Sequence, residues 1–288
     1  MTHDWKIIEL TPKNKSNMSE QIEKDKIYNC DCLEGMKHIP NASIDLVVTS
    51  PPYDNLRKYG GIGDEWNFDK FQAIAKELAR ILKDGGVIVW VVGDATIDGS
   101  ETGTSFRQAL YFKDECGLNL YDTMIYRKAN PIPQNHDRYE QCFEFMFVLS
   151  KGTAKTFNPI MVKATHGGES MNWGGRKTEM DKAQCRRHRE DEVRTVKETK
   201  QHDNIFEYNI GGETTGHPAV FPKMLAREQV YSWSNPEDLV LDPFIGSGTT
   251  AVACIKEKRH FIGFELNKEY YDKACKRIDA AQRQLTLF

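Results

Sequence analysis

The chain has 288 residues, a formal net charge of −3, 39% hydrophobic and 10% aromatic residues, and a mean hydropathy of −0.60. That supports one large domain, or one domain with a sizeable insertion, and argues against a generic polyanion binder. No apolar run approaches the roughly 18 residues of a membrane span and Met1–Lys6 has no apolar signal stretch, so a cytoplasmic protein without a membrane partner is expected.

Residues 1–26 are polar and weakly patterned and read as an N-terminal extension. Residues 27–31 and 44–49 read as strands on either side of a helix-like 32–38. Phe71, Ile74, Ala75, Leu78, Ile81 and Leu82 recur at helical spacing over 68–82, and Asp84-Gly85-Gly86 supplies turn chemistry after them. Residues 87–92 form a continuous apolar run, typical of a strand covered on both faces. A helix over 105–116 and strands over 120–127 and 144–150 follow. From 151 to 213 the chain is polar and glycine-punctuated, with a helical stretch expected over 177–200, and reads as an insertion at one sheet edge. Patterning resumes with helix 222–232, strand 239–241, helix 249–256, strand 260–265 and helix 268–284. The alternation predicts an α/β domain on a mainly parallel sheet, in two halves, 27–150 and 214–288. The seven cysteines are scattered with no CxxC pair, so reduced thiols and no metal site are expected.

Two loops carry the chemistry. Asp242-Pro243-Phe244-Ile245-Gly246-Ser247-Gly248-Thr249-Thr250 follows the apolar run 239–241 directly. A strand ending in an acid, a turn with two near-adjacent glycines and a helix start suit a nucleotide-like ligand. The glycines allow close backbone approach, and the helix start offers unpaired N–H groups. Roughly twenty residues on, Glu265 ends the next strand, where an acid can hold a ribose diol. The dinucleotide fingerprint is incomplete, because Ala251 stands at its last glycine; alanine is tolerated there, so NAD stays open on this loop alone.

Thr49-Ser50-Pro51-Pro52-Tyr53 follows strand 44–49. The two prolines fix two φ angles and remove two N–H donors, leaving their carbonyls free to accept. Ser50 is pushed to an extended conformation. A Ser hydroxyl and a Pro carbonyl then form a rigid acceptor pair for an NH2 group, and the Tyr53 ring can stack on a planar base. Such acceptors favour a tetrahedral amine nitrogen and aim its lone pair, which methylation of a conjugated exocyclic amine requires.

In this order the loops resemble the β-arranged, S-adenosylmethionine-dependent DNA amino-methyltransferases, over 27–150 and 215–280. The resemblance implies a Rossmann-like methyltransferase fold with a seven-stranded sheet, helices on both faces and an inserted target-recognition region at 151–213. It implies catalytic Ser50, Pro51, Pro52 and Tyr53. It places Asp31 and Cys32 near the cofactor adenine, with Ser50, His217, Pro218, Asp242, Phe244, Gly246, Ser247, Gly248, Thr249 and Glu265 completing the cofactor set. Related chains often carry a Lys before a proline near His217, whereas this one has Phe221-Pro222-Lys223. In the insertion, Arg186, Arg187 and Arg189 are candidate phosphate contacts for a duplex whose target base is flipped out, with Trp173 and His166 near bases. Acidic neighbours interleave with these arginines, so a solvated, ion-paired helix is the competing reading. Ser at position 50 resembles the N4-cytosine enzymes; Asp or Asn is more usual for N6-adenine, and both bases stay open. Double-stranded DNA is the implied partner. A cognate restriction endonuclease and a second copy of the chain are further partners such a prokaryotic or phage protein admits. An NAD-dependent oxidoreductase leaves the Ser-Pro-Pro-Tyr loop unexplained, and a DNA-binding protein on an inactive scaffold leaves the intact acids unexplained.

Overall fold

The structure, a computed structural model, describes residues 22–52, 66–131, 137–172, 193–209 and 221–285. It divides into a larger unit, reaching to Asn158 and resuming at Asn204, and a smaller unit, Pro159–Asp203. The larger unit begins with β1 (Lys26–Tyr28), α1 (Cys32–Met36), β2 (Ile44–Thr49), α2 (Phe68–Ile81) and β3 (Leu82–Val92). A two-residue ladder of β4 (Thr96–Ile97) and β5 (Ser100–Glu101), then α3 (Thr104–Asp114), β6 (Asn119–Lys128) and β7 (Phe143–Ser150), complete its first part. The smaller unit holds β8 (Met161–Lys163), β9 (Ser170–Asn172), β10 (Val193–Thr195) and β11 (Thr199–Gln201). The larger unit resumes with β12 (Ile205–Tyr208), α4 (Lys223–Trp233), β13 (Leu239–Asp242), α5 (Thr249–Lys256), β14 (His260–Phe264) and α6 (Lys268–Leu285).

Eight strands form the main sheet in the order β1-β14-β13-β2-β3-β7-β6-β12. Every neighbouring pair is parallel except β3–β7 and β6–β7. The carboxyl ends of β1, β14, β13, β2 and β3 therefore lie along one edge, where open α/β sheets bind their ligands. The sheet has one strand more than the seven expected. The extra one is β12, whose four residues Ile205-Phe206-Glu207-Tyr208 bury only Phe206 (7% exposed), too short a pattern to stand out. β12 runs parallel to β6. The helix expected over 177–200 is also corrected in part. Residues 193–195 and 199–201 are strands, consistent with the β-branched Val193, Thr195, Val196 and Thr199. Residues 177–192 lie outside the described residues.

Successive residues Leu46, Val47 and Val48 of β2 and Val87 to Val92 of β3 are all buried, so this part of the sheet is covered on both faces. On one face, α2 presents Phe71, Ile74, Ala75, Leu78 and Ile81, all fully buried. Asn67 caps that helix, its side chain accepting from Lys70 N at 2.9 Å. Trp90 of β3 sits at the centre, with Phe71 at 5.8 Å and Phe112 of α3 at 5.2 Å, and its Nε1 donates to Gln108 Oε1 at 2.8 Å. At the start of α3, Gly103 offers no side-chain cap. The buried Asp94 carboxylate substitutes, accepting from Ser105 N at 2.9 Å and from the Ser105 hydroxyl. Gly263 in β14 has no room for a side chain: a Cβ there would lie 2.4 Å from Ile245 Cδ1 and 3.1 Å from Ile27 Cγ2. Among the described residues no helix is long and apolar enough to cross a membrane.

Candidate active site

Ser50, Pro51 and Pro52 follow β2 directly; Pro51 is buried, Ser50 and Pro52 half-buried. β2 pairs with β13, so this loop emerges beside the glycine turn that follows Asp242. The two are joined by a buried bracket. Thr49 Oγ1, from the last residue of β2, donates to Asp242 Oδ1 at 2.6 Å. Thr250 Oγ1, in the first turn of α5, donates to Asp242 Oδ2 at 2.6 Å, and Phe244 N donates to Oδ1 at 3.1 Å. Burial pushes the Asp242 carboxyl up to about 6, and these three donors offset only part of that desolvation.

Within the turn, Gly246 (φ 51°) and Gly248 (φ 83°) adopt left-handed backbone, and Gly248 N donates to Ile245 O at 2.8 Å. Gly248 then precedes α5 with no side-chain cap, so the helix start keeps backbone N–H groups to offer. Ser247 is committed elsewhere. Arg277 of α6 donates from Nη1 to Ser247 O and Ser247 Oγ, both at 2.6 Å, and to Thr249 Oγ1 at 3.3 Å. The arginine clamps the turn to the last helix.

Glu265 stands one residue beyond β14. Its N–H donates to Tyr28 O at 3.0 Å, tying the ends of β14 and β1 together. Its carboxylate accepts from Asn267 N at 2.7 Å and from the backbone of Gly246 and Leu266. Burial nevertheless pushes its pKa up to about 7, with the Asp242 charge adding in the same direction. At the end of β1, Asp31 caps α1 by accepting from Leu33 N at 2.8 Å and pairs with Lys70 Nζ at 2.9 Å. The neighbouring Cys32 thiol is buried and held well above its ordinary pKa, first by burial and then by Asp31. Phe244 is half-buried with Trp66 edge-on at 5.5 Å and Trp90 at 6.3 Å.

Asp31, Cys32, Ser50, Asp242, Phe244, Gly246, Ser247, Gly248, Thr249 and Glu265 thus sit along one sheet edge, at the carboxyl ends of β1, β14, β13 and β2 or in the turn after them. Tyr53, His217, Pro218, Trp173, Arg186, Arg187 and Arg189 lie outside the described residues. His166 is in the smaller unit, exposed, its Nδ1 3.1 Å from Glu169 Oε2. Lys223 opens α4. Four contributors escaped the sequence reading. Thr49 and Thr250 look like ordinary strand-end and helix-start residues, while Arg277 and Trp66 act on the turn across 30 residues or more of sequence. The donor set matches a nucleoside bearing a charged tail. Carboxylates can accept from hydroxyl or amine donors, turn and helix-start N–H groups can hold an anion, and an aromatic ring offers a flat contact.

Comparisons with known proteins agree with this arrangement. The chain is 45% identical over 251 residues to the orphan methyltransferase M.BamHII of Bacillus amyloliquefaciens, covering 84% of this chain and 91% of the relative. Among solved structures, M1.HpyAVI in complex with SAM matches with TM-score 0.59 and 28% identity, over 88% of this chain and 98% of that one. The PvuII DNA methyltransferase (cytosine-N4-specific) shares the fold, with TM-score 0.65 and 21% identity over 92% of this chain and 93% of that one. The family model described as DNA methylase (N6_N4_Mtase) matches residues 44–276, and with the two loops joined through Asp242 at one sheet edge, the chain belongs to that DNA methylase family.

Proposed function

We propose that this protein is a sequence-specific methyltransferase acting on the exocyclic N4 amine of cytosine in duplex DNA, with S-adenosylmethionine as cofactor. The observation that carries the reading is the Thr49–Asp242–Thr250 bracket, which holds the Ser50-Pro51-Pro52 acceptors beside the glycine turn. The turn and its acids fit the cofactor by donor chemistry. Glu265 would take the ribose hydroxyls, Asp31 and Cys32 the adenine side, and the Gly246–Gly248 turn with the start of α5 the carboxylate. Bound there, S-adenosylmethionine supplies a methyl group activated by a sulfonium.

The protein's own work is on the amine. Its lone pair is delocalised into the base and is a poor nucleophile. The Ser50 hydroxyl and a carbonyl of Pro51 or Pro52 accept its two N–H groups, which favours a tetrahedral nitrogen with the lone pair directed to one side. The methylated amine is acidic enough to lose its extra proton without a strong base. Because a paired base cannot reach this edge, the target nucleotide is extruded from the duplex. A hydroxyl at position 50, rather than a carboxylate, is the reason for choosing cytosine.

Incubating the protein with S-adenosylmethionine and unmethylated genomic DNA, followed by digestion and mass spectrometry of the nucleosides, tests this directly. N4-methylcytosine is the expected product. N6-methyladenine would keep the mechanism and overturn the choice of base, and no methylated base would overturn the function.

Glu265 makes the reading testable a second way. A carboxyl with a pKa of about 7 is largely protonated at pH 6, and only the ionised form accepts from both ribose hydroxyls. Cofactor affinity is therefore expected to be highest above pH 7 and to fall about tenfold between pH 8 and pH 6 in calorimetric titrations. Glu265→Gln should bind weakly and without that pH dependence. A wild-type affinity that stays flat from pH 6 to 8 would remove Glu265 from the cofactor site.

A further inference from the structure

Among its described residues, the smaller unit forms a two-stranded antiparallel ribbon. In one ladder Lys163 lies opposite Thr199, Val162 opposite Lys200 and Met161 opposite Gln201. In the other, Asn172 lies opposite Val193, Met171 opposite Arg194 and Ser170 opposite Thr195. The strands stay joined between the ladders. Ala164 N donates to Glu198 O at 2.9 Å, Gly168 N to Val196 O at 3.0 Å and Val196 N to Glu169 O at 2.9 Å. Residues 165–168 form an extra loop on one strand, and Gly167 lets it close, since a Cβ there would lie 2.8 Å from Glu198 Cα.

Residues opposite each other share a face, so Met161, Lys163, Thr199 and Gln201 present one side and Val162 and Lys200 the other. The first four are all exposed. Among the described residues, the side chains of Lys163, Thr199 and Gln201 make no hydrogen bond or ion pair. On the opposite face Lys200 is tied to Asp203 at 3.1 Å and Val162 is half-buried. The ribbon therefore has a polar face with uncommitted donors and acceptors, backed by a committed one. The charge agrees with a polyanion. Residues 159–203 carry ten Lys and Arg against eight Asp and Glu, net +2, leaving 29 against 34, net −5, in the rest of the chain.

We infer that this ribbon enters the major groove of duplex DNA and reads base edges with Lys163, Thr199 and Gln201; the inference rests on the DNA-methylating reading above. A major groove about 12 Å wide admits a two-stranded ribbon. Alternate residues on a strand are about 6.8 Å apart, close to two base-pair steps of about 3.4 Å, so neighbouring side chains of the face can meet base positions two steps apart. Lysine donates to guanine O6 and N7, the glutamine amide can both donate and accept on adenine, and the threonine hydroxyl serves either role. Met161 gives the same face an apolar contact for a thymine methyl.

The test maps methylated positions in genomic DNA by single-molecule sequencing, for wild type and for Lys163→Ala, Thr199→Val and Gln201→Ala, singly and combined, with cofactor affinity measured alongside. Each single variant is expected to lower the preference for the preferred sequence over its one-base neighbours about tenfold, with cofactor affinity unchanged. Lys163→Arg, which keeps a guanine donor, should retain most of the preference. Unchanged preference in the triple variant would overturn the inference. So would a loss of DNA affinity that is uniform across sequences and reduces the salt slope, since that marks phosphate contact alone. Wild-type protein that neither methylates nor binds duplex DNA would overturn both this inference and the function beneath it.

Discussion

Ser50→Ala is expected to cut the single-turnover rate of methyl transfer about 100-fold or more while leaving cofactor affinity within about twofold of wild type. The asymmetry follows from position. Ser50, at the border of the cofactor set, lies beyond the end of β2, whereas Asp31, Cys32, Glu265 and the glycine turn, which would hold the cofactor's adenine, ribose and carboxylate, sit after β1, β14 and β13. The hydroxyl that is lost does its work on the amine, and most strongly as the nitrogen becomes tetrahedral. Removing one preorganised partner of that kind costs about 2.7–4 kcal/mol in the transition state, which is the basis of the rate estimate. The substitution leaves Thr49 and its bond to Asp242 in place, so melting temperature should stay within a few degrees. Rapid quench with labelled cofactor and saturating duplex reads the rate, and calorimetry reads affinity. An unchanged rate would remove Ser50 from the chemistry. A rate and an affinity that fall together would make it a cofactor residue instead.

What the sequence revealed and what it concealed divide by distance along the chain. The elements around the two loops could be read locally. Helix 68–81 has an apolar face repeating with the helical period, the core strands are continuous apolar runs, and the glycine turn is punctuated by residues that tolerate left-handed backbone. The resemblance in motif order supplied the family. Concealed were the features decided by pairing. β12 is four residues with one buried side chain and exists because β6 offers it a parallel edge. Residues 193–201 contain enough charge to suggest a helix, and only pairing with 161–172 makes strands of them. Thr49 and Asp242 are 193 positions apart and their hydrogen bond leaves no local trace, although both ends are visible as strand termini. Ser50 and Asp242 are therefore legible singly, and the bracket that joins their two loops is not.

That bracket carries the second large prediction. Asp242→Ala should destabilise the fold by about 3–5 kcal/mol, because it strands two buried hydroxyls and an amide N–H that each lose a charged acceptor. In a protein of this size that corresponds to a drop in melting temperature on the order of 10 °C. Asp242→Asn keeps the shape and the oxygen that accepts from Thr49 and Phe244 N, and the Thr250 hydroxyl can rotate to accept from the new amide, so its cost should be far smaller. The two substitutions separate further with pH. The Asp242 carboxyl titrates near 6 when folded and near 3.8 when unfolded, so the folded state holds the proton more tightly. Its contribution is then fully favourable below about pH 4, is lost as the pH rises through 6, and is flat above; the shift corresponds to roughly 3 kcal/mol. Glu265 acts with the same sign up to about 7, and the part of its shift that comes from burial cancels when wild type and Asp242→Asn are compared; only the part that the Asp242 charge adds is lost in the variant. In urea titrations from pH 4 to 8 the asparagine variant should gain on wild type as the pH rises and hold that gain above about 6.5. A constant difference across the range would mean that Asp242 is not desolvated in the folded protein. The two threonine hydroxyls would then be serving a carboxylate that water already stabilises, and the link between the two loops would be geometric only.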